Sequence, residues 1–184
     1  MFTVFLDSKV KGERATGMGY SEFVRTFDTI CKEHMREKRA KAFAFIFYDM
    51  EHGPVRRALK SARGFEILNA ETGKDMTLFY LHAAAVEPNA KAFNEHFIKA
   101  LGLEEQITMP CIAFFRVTDD KIDDINFRCI DFQVDEAYLI VEALRRDIAE
   151  YIEGMKTQGD YSALASVAGW ISVQAFLATL KHFI

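Results

Sequence analysis

Few side chains in this sequence could do chemistry, and they are scattered. Three are cysteines, Cys31, Cys111 and Cys129. A fourth is His52, which follows Glu51 and opens the tetrapeptide His52-Gly53-Pro54-Val55. The cysteines stand far apart, in an odd number. That spacing is no disulfide framework, and it predicts a reducing compartment. Cys111, directly after Pro110, has two readings. It is either a lone thiol able to form a mixed disulfide or be oxidised as a sensor, or a small residue packed at the start of a strand. Cys129 falls on the neighbouring strand. Whether it faces Cys111 depends on a hairpin register that a one-residue slip reverses.

An imidazole at a helix N-terminus tends to be neutral, so His52 could accept a proton or bind a metal. Glu51 adds a carboxylate, and His82 and Glu87, after the next strand, are the nearest further groups. A scattered histidine is otherwise structural or surface-bound, and the spacing carries no metal-ligand signature. No metal and no cofactor are therefore expected. The aspartates between Thr118 and Asp124 lack the glycine and terminal glutamate of an EF-hand loop and read as a solvated hairpin tip. There is no phosphate-binding glycine loop, nucleophile elbow or zinc motif.

The elements that must position these groups are more legible. Ala42 to Tyr48 is a short apolar run rich in aromatics, closed by a Gly-Pro step. It reads as a strand buried on both faces. Pro54 suits the first turn of the helix that follows, where its missing N–H costs no bond. Phe2 to Leu6 is a strand, and Lys9 to Gly19 a polar loop. From Ser21, Phe23, Val24, Phe27, Ile30, Cys31, His34 and Met35 share one helical face, with His34 read as a packed histidine. A basic end from Lys32 to Lys41 suits a helix C-terminus. Helix is predicted from Pro54 to about Asn69, bent at Gly64, then strand from Met76 to His82 and helix from Pro88 to Gly102. Strands are predicted at Cys111–Val117 and Ile125–Phe132, around a turn over Thr118–Asp124. Asp135 caps a last helix with Ala137, Val141, Leu144, Ile148 and Tyr151 inward, and Glu142 paired with Arg146.

Half the residues are hydrophobic and 17 are Phe, enough for one domain with a core that needs neither disulfide nor metal. A net charge of −4 argues against a dedicated nucleic-acid binder. The apolar run near the first residue is too short for a signal peptide. A cytoplasmic protein is expected.

Strand–helix alternation, then a hairpin and a terminal helix, implies an α/β fold with a mixed sheet and helices on both faces. That order resembles the thioredoxin-like fold from Phe2 to about Glu153. The resemblance rests also on Gly53-Pro54 at the second helix and on Met109-Pro110 before the fourth strand. It implies a central five-stranded mixed sheet, a cis Pro110 facing the turn, and a redox site at His52-Gly53-Pro54-Val55. Thiol–disulfide exchange needs an attacking thiolate and a resolving thiol. Here His52 stands at the attacking place and Val55 at the resolving place. An imidazole forms no disulfide and a valine resolves none, so the chain is not expected to be a dithiol oxidoreductase.

Two functions follow. The first is a non-catalytic thioredoxin-like module that binds a partner protein or a second copy of itself. The alternative is a single-cysteine sensor or enzyme using Cys111 or His52 at the former active-site corner. The domain is expected over residues 1–153 and a linker over 154–159. Residues 160–184 are expected to form one apolar helix that mediates association, most simply in a homodimer. Ser162, Ser166, Gly169 and Ser172 would form its small-residue face, with Trp170 and Phe176 supplying bulk. Packing at home and a tail-type membrane anchor are the other readings of that helix.

Overall fold

The computed structural model describes residues 2–5, 17–18, 20–37, 41–49, 52–82, 88–130, 136–157 and 164–182. In chain order the elements are β1 (Phe2–Phe5), β2 (Gly17–Met18), α1 (Tyr20–Glu37), β3 (Lys41–Phe47), α2 (Gly53–Lys60), α3 (Ala62–Thr72), β4 (Met76–His82) and α4 (Pro88–Ala100). There follow β5 (Cys111–Thr118), β6 (Lys121–Cys129), α5 (Ala137–Thr157), β7 (Ala165–Val167), β8 (Ile171–Ser172) and α6 (Val173–Lys181). The fold is α/β. Its sheet runs β2-β1-β4-β3-β5-β6-β7, with β8 also paired to β6. β1 and β3 lie parallel to β4, whereas β5 is antiparallel to both β3 and β6. The expected five strands are all present, in the order β1-β4-β3-β5-β6, and short strands extend the sheet beyond them at both ends.

β3 is the centre of the sheet because its composition lets both faces be covered. Phe43, Phe45 and Phe47 alternate with Ala42, Ala44 and Ile46, and all are buried. A strand's period of two therefore sends the rings to one face and the smaller groups to the other. The ring face is one aromatic layer. Phe23 and Phe27 of α1 meet Phe79 of β4 at 5.0 and 6.3 Å between centroids. Phe45 meets Phe97 of α4 at 4.6 Å, and Phe43 meets Phe115 of β5 at 5.5 Å. Such pairs contribute about 0.5–1.5 kcal/mol each beyond area burial. α2, α3 and α5 cover the opposite face, where Phe114 stacks on Tyr151 at 4.8 Å.

Three expectations about elements are corrected. The helix after Pro54 breaks at Ser61 rather than bending at Gly64. Ser61 is extended (φ −70°, ψ 133°), and its Oγ accepts the Gly64 N–H at 2.9 Å, capping α3. Gly64 is required for another reason: a Cβ there would run into the carbonyl oxygen of Ala58. The hairpin turn is only Asp119-Asp120, since Thr118 pairs with Lys121. The return strand thus runs Lys121–Cys129, carrying Asp123 and Asp124 within it. A bulge at Asp124, with φ 51°, takes up the extra residue. On α5, Glu142 pairs with Arg145 at 3.1 Å, not with Arg146.

The fourth correction is the largest. Residues 160–184 are not one helix. β7 and β8 add to the edge of β6 and are joined by a turn in which Gly169 has φ 123°, a conformation that favours glycine. Ser166 lies in β7 and hydrogen-bonds Asn126, while Ser172 is the N-cap residue of the nine-residue α6. The proposed small-residue face does not exist, and Ser162 lies outside the described residues. α6 packs on α1 and α4. Phe176 is 1 % exposed, with its ring 5.1 Å from that of Phe97 and 5.7 Å from that of Phe27. The segment completes the aromatic layer, as the packing-at-home reading has it. Among the described residues no helix is long and apolar enough to cross a membrane.

Candidate functional site

The corner expected to carry chemistry lies where β3 leaves the sheet. Beyond Phe47 the buried Tyr48 and half-buried Asp49 continue the chain, and the His52 N–H returns to the Asp49 carbonyl at 2.9 Å. His52 is the N-cap residue of α2, and its carbonyl accepts from the Arg56 N–H at 3.0 Å. Gly53 and Pro54 form the first turn. Val55 is buried at 2 % exposure, inside the core rather than at the surface. Asn94 of α4, wholly buried, donates from Nδ2 to the Tyr48 carbonyl at 2.9 Å and fixes the end of β3 against that helix. Burial pushes the Tyr48 phenol well above its ordinary range, with Tyr80 acting the same way and Arg56 against it.

Pro110 stands beside this corner. Cys111 pairs with Phe47 in the β3–β5 ladder, so Pro110 lies next to where β3 ends. The Met109–Pro110 peptide is cis, the isomer expected. The Pro110 carbonyl accepts the Ile130 N–H at 2.8 Å and so holds the ends of β5 and β6 together.

Cys111 is fully buried, and burial raises its thiol well above the ordinary range, with Cys129 adding to the effect. A thiol so placed is a poor lone nucleophile. Cys31 is also buried, its thiol pushed up to about 12 by burial and, secondarily, by Asp28. Cys129 is exposed and accepts a hydrogen bond from Thr108 Oγ1 at 3.6 Å. It also lines a cleft of about 290 Å³ with Arg128, Ala143 and Arg146. A wider cleft of about 410 Å³, lined by Ser61, Gly64, Ile67, Tyr138 and Val141, belongs to α3 and α5 and includes no residue of the corner.

The structure therefore brings His52, Gly53, Pro54, Val55 and Pro110 to one end of the sheet, with Cys111 buried beneath. Glu51 and Glu87 lie outside the described residues, as do the side chains of His34 and His82. Among the described residues no group of His, Cys, Asp or Glu is arranged to hold a metal ion. The feature that sequence reasoning left open was the β5–β6 register, which sets Cys129 directly opposite Cys111. No family model, curated protein or solved structure matches the chain.

Proposed function

We infer that the chain is a non-catalytic thioredoxin-like protein-interaction module and not a dithiol oxidoreductase. One observation carries this reading. The five central strands run β1-β4-β3-β5-β6, with a cis-proline entering β5 beside the end of β3, and the helix start there reads His52-Gly53-Pro54-Val55. The strand order and the proline support the kinship. The histidine and the buried valine, at the two places that need thiols, argue against the ordinary activity. The burial of Cys111 argues against the alternative of a single nucleophilic thiol at the corner.

Such modules hold a partner protein or a second copy, and among the described residues of the C-terminal segment Trp170, 59 % exposed, is the large apolar side chain still on offer. The test has two parts. Insulin reduction with dithiothreitol as electron source should run at the rate of the reductant alone, and faster turnover overturns the redox-inactive half. Sedimentation across concentrations, with capture from native lysate, should reveal self-association or a bound protein. A monomer at every concentration that captures nothing overturns the interaction half.

A further inference from the structure

We propose that Cys111 and Cys129 form a reversible cross-strand disulfide, made when the exposed thiol of Cys129 is oxidised by a hydroperoxide and the buried thiol of Cys111 resolves it. The inference rests on the β5–β6 ladder and stands whatever the ancestry of the fold.

Cys111 and Cys129 are directly opposed in an antiparallel pair. Opposed residues of such a pair alternate between hydrogen-bonded and non-hydrogen-bonded sites. The Ile130 N–H donates to the Pro110 carbonyl at 2.8 Å, so residues 110 and 130 occupy a hydrogen-bonded site. Cys111 and Cys129, one step further along, therefore occupy a non-hydrogen-bonded site. There opposed Cα atoms lie about 4.5 Å apart and the side chains, on the same face, approach most closely. That separation falls within the usual Cα range of a disulfide, about 4.4–6.8 Å. Proline at 110 has no N–H to return to Ile130, so this end of the ladder has one of its two bonds and can yield to the bridge's geometry.

The two thiols differ in the way the chemistry needs. Cys129 is open to solvent, and Thr108 donates a hydroxyl hydrogen bond to its sulfur. Cys111 is closed to solvent. In the first step the Cys129 sulfur attacks the hydroperoxide, the O–O bond breaks, and sulfenic acid forms with release of the corresponding alcohol, or of water where the oxidant is hydrogen peroxide. In the second the Cys111 sulfur attacks the sulfenic sulfur, and the S–O bond breaks. The hydroxyl leaves with the Cys111 proton as water, and the disulfide remains. A dithiol reductant returns both thiols. Cys31, buried in α1 and far from this ladder in sequence, takes no part.

The experiment uses the full chain treated with hydrogen peroxide, then denatured in the presence of N-ethylmaleimide and mapped by mass spectrometry. Alkylatable thiols should fall from three to one, the remaining one being Cys31. The intact mass should lose two hydrogens, a single linked pair should join the Cys111 and Cys129 peptides, and dithiothreitol should reverse it. In Cys129→Ser, a change at an exposed position, Cys111 should stay reduced under the same treatment. Circular dichroism before and after confirms that both proteins remain folded. Sulfinic or sulfonic acid on Cys129 with Cys111 still free overturns the proposal. So does a bridge between Cys129 residues of two chains, a bridge to Cys31, or the absence of any oxidised product.

Discussion

Asp147 and Arg128 join α5 to β6 through a contact of 2.6 Å, and the Asp147 side chain is only 3 % exposed. Burial raises the carboxyl above its ordinary range and outweighs the opposing pull of the Arg128 guanidinium and its hydrogen bond. A carboxyl whose folded pKa is raised binds its proton more tightly in the native state than in the unfolded one. Its contribution is therefore greatest below the unfolded value of about 3.9 and declines as pH rises past it towards the folded value. Urea unfolding of the wild type and of Asp147→Asn, compared across the acid range, measures this directly. The stability of the wild type relative to the variant should fall as pH rises. A relative stability that climbs instead would mean that Arg128 dominates. Residues at this scale were only partly legible. Asp147 sits on the inward side of a helix whose apolar residues were easy to read, but nothing in the chain announces that Arg128 comes to meet it. The same holds for Asp123 and Asp124. They read as loop residues, yet both sit within β6, where Thr118 Oγ1 donates to Asp123 at 3.4 Å and the Tyr151 hydroxyl to Asp124 Oδ2 at 3.1 Å.

At the scale of elements, legibility followed length. β3 was readable because a seven-residue apolar run bounded by Gly and Pro has few alternatives. The cis-proline was readable only through the resemblance to the thioredoxin-like fold, which implies one at that place in the order of strands. β7 and β8, of three and two residues, are too short to display a period of two. Their serines and Gly169 recur at helical spacing by coincidence, and the extended pairing with β6 overrides it. The consequence for α6 can be tested. Phe176 lies against Phe27, Phe97 and Phe115 from three different elements. Phe176→Ala should cost about 3–5 kcal/mol in chemical denaturation, because a cavity is left where the ring was. A cost below about 1 kcal/mol would mean that α6 is only loosely docked.

For the molecule as a whole, the core is one body that includes the C-terminal segment. Leu164, Val173, Phe176, Leu177 and Leu180 are all buried in it. A domain ending at 153, a linker and a separate helix would let the final segment be removed without harm. With these side chains in the core, a chain ending at Gly159 should instead unfold at markedly lower denaturant concentration than the full chain, or fail to fold. Equal midpoints for the two chains would refute that. What the sequence could not convey is that the edge of the sheet was unfinished at β6. An incomplete edge is a property of the assembled sheet, visible in no local window of residues.

The turn between β7 and β8 also decides what light can report about this protein. Trp170 is the sole tryptophan, it is largely exposed, and the Lys121 ammonium lies 4.7 Å from its ring centroid. The indole therefore senses water and a neighbouring cation, not the phenylalanine layer. Its emission should be red-shifted and open to collisional quenchers while the chain is still folded. Melting the core should move the emission maximum very little, while a ligand covering the turn should shift it to the blue. The fluorophore is in effect a probe of the sheet's edge, insensitive to the state of its interior.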